Sequence, residues 1–255
     1  MIMERISSRK NEYIRSLRLL CSDGKYRREQ GLFVCDGMKL LKEALCFGAE
    51  VNSVLWREQA EKMPGLESVR QYTAPEELFE YVSPMKHSPG PVFTVRIPDH
   101  TKGEKPRNAI VLEKLQDPGN VGTVIRTANA FGIDAVILTG DCADLYNPKT
   151  VRATMGAVFR QKIIQLPLSR LKEFLTDCGL PLYGAALSER AEDVRNVRLS
   201  GAAVAVGSEG RGLSREILDM CDREIIIPMR PESESLNAAV AASVLMWEMK
   251  RERGK

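Results

Sequence analysis

The residues best suited to chemistry fall in a few short stretches. Val204-Ala-Val206 is an apolar, β-branched run followed at once by Gly207-Ser-Glu209-Gly-Arg-Gly212-Leu-Ser214 and then by a helical pattern. A strand, a tight loop and a helix in that order bring backbone N–H groups up to a ligand. The glycines run G-x-x-G-x-G, which is neither the dinucleotide fingerprint nor the phosphate loop. The loop is therefore either a structural turn or a ligand loop of another kind. Asn120 to Phe131 is a second stretch. Asn120 suits an N-cap, Gly132 suits a stop, and Val121, Val124, Ile125, Ala128 and Phe131 share one face. Arg126 points the other way, among Gly122, Thr123, Asn129 and Ala130. A lone Arg among small residues suits a surface that a ligand or a second subunit approaches closely; a snorkelling side chain is the alternative.

Two more stretches complete the set. Asn147 to Arg160 carries Lys149, Arg152 and Arg160 around a helix start, which suits phosphate contacts or a solvated face equally. Ile225-Ile-Ile227-Pro-Met229 ends a strand. A polar loop follows, and then Ser235-Leu236-Asn237 opens an Ala-rich helix. Ser235 either caps that helix or aims its hydroxyl, with the Asn237 amide, into the site that the glycine loop lines. Only two histidines occur, His87 and His100, so a His-centred triad or metal cluster is not expected. The six cysteines form no C-x-x-C pair, which argues for reduced thiols in a cytoplasm and against zinc or any other metal.

The elements that hold these stretches follow from periodicity. The chain has 255 residues, 44% hydrophobic and 28% charged, with no apolar run long enough to span a membrane and no apolar signal core near its start. From 109 onward strands alternate with helices, a pattern for a mostly parallel sheet covered on both faces. The first 97 residues also read as an α/β unit: a helix over 8–22, strands at 32–35, 51–56 and 91–97, and helices from 38 and 75. Residues 98–107 are polar and Pro/Gly-bearing and read as a linker. The expected organisation is thus 1–97, a linker at 98–107, and 108–255, both domains α/β.

Charge is uneven. Net charge is +3, yet residues 1–30 hold eight basic side chains against four acidic ones. That end of the chain suits a polyanionic partner. Arg15, Arg18, Lys25, Tyr26, Arg27 and Arg28 combine cations with an aromatic ring, which suits stacking on a base with backbone contacts nearby.

Asn120 to Arg126 in N-x-x-x-x-x-R, Gly207-Ser-Glu209-Gly-x-Gly-Leu-Ser, and Ile227-Pro-Met with Ser235-Leu-Asn237 together resemble the SpoU/TrmH family of RNA ribose 2′-O-methyltransferases, within the SPOUT class. The resemblance covers about residues 106–251. It implies a C-terminal trefoil-knot domain, with the loops at 207–212 and 228–236 forming the knot. The preceding domain resembles the family's substrate-binding domain, an L30e-like ribosomal-protein fold. The resemblance also implies S-adenosylmethionine as cofactor, held by Thr139, Gly140, Gly207, Ile227, Met229 and Leu236. Arg126 would act on the ribose, oriented by Asn120, Glu209, Ser235 and Asn237. Lys149, Arg152, Arg160 and the basic cluster of residues 15–28 would bind RNA; a substrate domain placed before the knot domain resembles the ribosomal RNA enzymes more than the transfer RNA ones, with methylation of transfer RNA as the alternative. A cytoplasmic homodimer with the site at the subunit interface is also implied. Rival readings are a non-catalytic RNA-binding protein that keeps the fold, and a metabolite-binding α/β protein.

Overall fold

The computed structural model describes residues 3–61, 63–99, 103–230, 232 and 235–251. In chain order the elements are β1 (Glu4–Arg5), α1 (Glu12–Ser22), α2 (Gly24–Gln30), β2 (Leu32–Asp36), α3 (Met38–Cys46), β3 (Val51–Arg57), β4 (Arg70–Ala74), α4 (Glu76–Val82) and β5 (Val92–Arg96). Then come β6 (Ala109–Glu113), α5 (Pro118–Phe131), β7 (Ala135–Thr139), α6 (Pro148–Ala153), β8 (Ile163–Gln165), α7 (Leu168–Cys178), β9 (Leu182–Ala185) and β10 (Glu192–Asp193). The chain closes with β11 (Ala203–Val206), α8 (Arg215–Leu218), β12 (Arg223–Ile226) and α9 (Ala238–Arg251). Two compact units result. One comprises Met1–Asp99 and Asp144–Phe159; the other comprises His100–Ala143 and Arg160–Lys255. The segment 144–159, which carries α6, thus groups with the N-terminal residues and packs on β2.

The first unit is built on a mixed five-stranded sheet in the order β1-β4-β3-β5-β2, with β5 antiparallel to both neighbours. Neither β1 nor β4 stands out from the sequence, because both are short or polar. Asn11 caps α1 by accepting from the Tyr13 N–H, so the helix starts four residues later than its periodicity suggests. Ile14, Leu17 and Leu20 bury one face of it. Between the expected helix over 8–22 and the strand at 32–35 lies a further helix, Gly24–Gln30. The Asp23 carboxylate accepts from the N–H groups of Lys25 and Tyr26, and Gly31 ends α2 at φ 61°.

The second unit is a seven-stranded, wholly parallel sheet in the order β10-β12-β9-β11-β6-β7-β8. Both faces are covered, so β6, β7 and β11 are apolar along almost their whole length and buried throughout. On one face Leu171 and Leu175 of α7 and Ile217 of α8 join the core. α5 and α9 pack against each other, with Phe131 edge-on to Trp247 at 5.6 Å between ring centroids. The last helix begins at Ala238 rather than Ser235. Its cap is Asn237, whose Oδ1 accepts from the N–H groups of Ala239 and Val240. Part of the preceding loop (Pro231, Ser233 and Glu234) lies outside the described residues, as do residues 100–102 of the expected linker.

Candidate active site

The carboxyl ends of the parallel strands are where an open α/β sheet binds ligands. In the second unit the ends of β9, β11 and β12 open on a cavity of about 580 Å³. The glycine loop forms one wall. A Cβ built at Gly207 would lie 2.1 Å from the Gly212 carbonyl, so no other residue fits there without moving the loop. The loop closes on itself through the Gly212 N–H, which donates to Ser208 O at 2.8 Å, and Gly212 holds φ 62°. Ile226, Ile227, Met229, Ser235 and Leu236 form the facing wall.

Glu209 lines this cavity and is the hub of a polar triangle. Asn120 Nδ2 donates to Glu209 Oε1 in a short hydrogen bond. Asn237 Nδ2 donates to Asn120 Oδ1 at 3.2 Å and approaches Glu209 Oε1 at 3.5 Å. The three residues come from three blocks far apart in the chain. Asn120 is free for this role because it is not the cap of α5. Asp117 is: its Oδ1 accepts from the Asn120 backbone N–H at 2.8 Å, and the helix starts at Pro118. Asn120 therefore sits inside the first helical turn with its amide turned to the loop.

Arg126 lies six residues further along α5, about 9 Å of helical rise. Its side chain is exposed, and among the described residues no hydrogen bond or ion pair restrains it. Gly122 beside it is buried, while Thr123 and Ala130 are exposed.

Four of the six residues assigned to a cofactor, Gly207, Ile227, Met229 and Leu236, line the cavity, and Ser235 joins them. Thr139 and Gly140 do not. They end β7, two strands away from β11, and Thr139 is only 1% exposed. The sequence reading passed over Glu113. It ends β6 opposite Thr139, is 1% exposed, and accepts from the Ser214 N–H at 2.7 Å, at the foot of the glycine loop. Its other oxygen pairs with Lys114 Nζ at 3.3 Å. The one available signal was an acid closing the apolar run Ile110-Val-Leu112. Burial, aided by Glu224 and Asp222, pushes the Cys221 thiol up to about 12, which disfavours the thiolate. Among the described residues no cluster of His, Cys, Asp and Glu could hold a metal ion.

The basic residues assigned to RNA divide. Arg15 and Arg28 are exposed, and Lys25 is exposed beside Glu29 at 3.8 Å. Arg18 lies over the Tyr81 ring at 4.9 Å and donates to the Tyr81 carbonyl. Arg27 is a correction. It is 3% exposed, pairs with Asp144 at 2.6 Å and donates to Leu20 O, because the α2 turn aims it inward. Tyr26 is a second correction: it packs half-buried on the core and donates to Ser16 Oγ, so its ring is no open stacking platform. Lys149 and Arg152 are exposed in the first unit, whereas Arg160 belongs to the second and donates to Asn129 Oδ1 at 2.9 Å.

Comparison with known proteins agrees with this architecture. Residues 107–247 match the SpoU rRNA Methylase family, and residues 11–92 match the MRM3-like substrate binding domain. The chain belongs to the SpoU rRNA methylase family. Over 97% of its length it is 31% identical to the whole of the 23S rRNA (guanosine(2553)-2′-O)-methyltransferase RlmP of Bacillus subtilis. It is 32% identical to an uncharacterized tRNA/rRNA methyltransferase of Synechocystis sp., covering 97% of this chain and 94% of that one. The crystal structure of the SpoU methyltransferase AviRb from Streptomyces viridochromogenes in complex with AdoMet superposes with a TM-score of 0.83. That match has 25% identity and covers 96% of this chain and 98% of that one.

Proposed function

We propose that this protein is an S-adenosylmethionine-dependent methyltransferase that modifies a ribose 2′-hydroxyl of ribosomal RNA. The observation that carries the reading is the Asn120–Glu209–Asn237 triangle at a cavity walled by the glycine loop. It ties three separate motifs together through Glu209, which lines a space of about 580 Å³, within the ~300–1,000 Å³ range of ligand-sized pockets. The backbone cradle at Gly207, which a Cβ would fill, fits a bulky cofactor pressed against main chain.

Gly207, Ile227, Met229 and Leu236 would hold the cofactor; Thr139 and Gly140, two strands from β11, lie off the cavity and are left out of that set. When bound, S-adenosylmethionine supplies the activated methyl group. The chain's own task is to orient the ribose and stabilise the charge that develops on its oxygen. A guanidinium stays protonated in proteins and is a poor base. Arg126 therefore binds the ribose and its phosphate and stabilises the incipient alkoxide, while the 2′-proton passes to the phosphate or to water. Asn120, Glu209, Ser235 and Asn237 set the position of the loop and of the sugar. The exposed cations Arg15, Arg18, Lys25, Arg28, Lys149, Arg152 and Arg160 contribute RNA affinity, which falls as salt rises.

In this reading residues 1–97 form the substrate domain, 98–107 the linker and 108–255 the methyltransferase domain. The loops 207–212 and 228–236 are threaded as a trefoil knot, and the enzyme is a cytoplasmic homodimer that needs no metal. The small-residue surface around Arg126 supports a subunit contact there.

The test is transfer of labelled methyl to unmodified ribosomal RNA and transfer RNA, with Arg126→Ala beside the wild type. Label in a 2′-O-methylated ribosomal nucleotide is expected. Arg126→Ala should lower kcat about 100–1,000-fold, the usual loss when one charge-stabilising donor is removed. Wild-type turnover in that variant would remove Arg126 from the mechanism.

A further inference from the structure

The first unit contains a second cavity, of about 220 Å³, that the methyl-transfer site does not use. It lies between α3 and α6, walled by Val34, Leu40, Met85, Val151 and Met155. This space is smaller than the ~300–1,000 Å³ of typical ligand pockets and suits one ring system rather than a whole cofactor. Three cations line it, Lys39, Lys149 and Arg152, against two carboxylates, Asp36 and Glu43. All three are exposed, and among the described residues none of their side chains takes part in a hydrogen bond or ion pair. Elsewhere in this unit Arg5, Arg9, Arg57 and Arg96 are matched with Glu58, Glu77, Glu76 and Glu50, while Arg15 and Arg28 are exposed without an ion pair among the described residues; what sets Lys39, Lys149 and Arg152 apart is that they ring an apolar opening. Unmatched cations around an apolar opening are suited to a ligand that brings its own negative charge.

Two local features mark the opening. Met155 closes one side at φ 49°, in the left-handed region that side chains rarely adopt, and remains 43% exposed. The next residue, Gly156, is pressed on Glu43 of α3: a Cβ there would lie 3.0 Å from the Glu43 carboxylate. The backbone is thus held with a large apolar side chain at the mouth of the cavity. Methionine is polarizable and makes favourable contacts with aromatic faces. Asp36 lines the same cavity. Its carboxylate already accepts from the Ser83 and Ser88 hydroxyls, which hold it in place, and each oxygen keeps a lone pair for a further N–H.

We infer that this cavity takes one unstacked nucleobase of the RNA substrate, gripped between Met85 and Met155, with the flanking phosphates on Lys39, Lys149 and Arg152. Asp36 accepts an N–H from the base edge. The inference rests on the RNA-methyltransferase reading for its ligand class. It makes the first unit a reader of unpaired RNA rather than a general polyanion surface.

The test uses the full chain and equilibrium binding of a short unpaired oligoribonucleotide against the same strand in duplex form. The wild type should prefer the unpaired strand by about tenfold, the scale of one base stacked on a protein surface. Met85→Trp, which fills the cavity, and the double charge reversal Lys149→Glu/Arg152→Glu should each abolish that preference while S-adenosylmethionine affinity stays as in the wild type. Leu40→Phe is the second cavity-filling variant should Met85→Trp melt early. Irradiation of 4-thiouridine-substituted RNA should crosslink to peptides containing Met85 or Met155. Equal affinity of the wild type for both forms, an undiminished preference in the filled variants, or crosslinks only elsewhere would overturn the inference. Methyl transfer is scored separately. A wild type that binds unpaired RNA through this cavity but methylates none would sink the proposed activity and leave the cavity standing.

Discussion

The two cavities differ in one wall. The one in the second unit faces its side-chain wall with a backbone wall, the glycine loop, which is fixed by close packing and polar contacts: Gly207 against Gly212, Glu113 on the Ser214 N–H, and the Asn120–Glu209–Asn237 triangle. The one in the first unit is walled by apolar side chains with loose cations on its rim. Backbone walls cannot adjust, so they define geometry, as a reaction centre requires. Side-chain walls adapt, and unpaired cations attract from a distance, as initial capture of a flexible polyanion requires. Two arginines run against this division. Arg126, in the unit with the rigid site, is exposed and unrestrained among the described residues, while Arg27, in the adaptable unit, is buried and clamped to Asp144.

The sharpest way to break the contrast is Gly207→Ala. The added Cβ meets main chain at 2.1 Å, so the loop must shift. S-adenosylmethionine affinity by calorimetry should fall by at least about 100-fold, the scale of losing a preorganised site, with RNA affinity at low salt unchanged. An unchanged cofactor affinity would mean that the wall is as adaptable as the other one.

Arg27→Met comes next. It leaves the Asp144 carboxylate without its charged donor, which should cost about 1.5–3 kcal/mol in denaturant unfolding. The lower half of that range is favoured, because Asp144 is 30% exposed and water can replace part of the bond. Cofactor affinity should not move. A loss of RNA affinity larger than the loss of stability would restore Arg27 to the binding surface.

Glu113 separates charge from hydrogen bonding. Glu113→Ala removes the acceptor for the Ser214 N–H and should cost about 1–3 kcal/mol, together with weaker cofactor binding. Glu113→Gln keeps an acceptor oxygen and should recover most of both. If Gln behaves as Ala, the carboxylate's pairing with Lys114 rather than its hold on the loop is what matters. The smallest effect is expected for Lys25→Ala. Its pair with Glu29 is solvent-exposed, and stability should change by less than about 1 kcal/mol. The salt slope of RNA binding should fall by no more than about one charge.

Much of this was legible from local pattern. The alternation of strands and helices and the apolar runs of β6, β7 and β11 follow from a sheet buried on both faces. The glycine loop announced itself by composition. One source of misreading is that a cap and a site residue look alike in sequence. Asn120 and Ser235 both suited helix caps, yet Asp117 and Asn237 do the capping. β4, with Arg70-Gln-Tyr-Thr, is too polar to stand out, because its pairing partners and not its hydropathy make it a strand.

The sequence by itself determined which positions must be glycine, which faces are apolar and where helices stop, because these depend on steric and solvation properties of neighbouring residues. The tertiary structure alone decided which polar side chains meet. Asn120 reaches Glu209 across 89 positions and is reached by Asn237 across 117. It also decided that Asp144–Phe159 packs with the N-terminal unit, which places Lys149 and Arg152 at the second cavity. Contacts at such separations are set by strand order. Strand order follows from the total burial of all seven strands, which no local window contains.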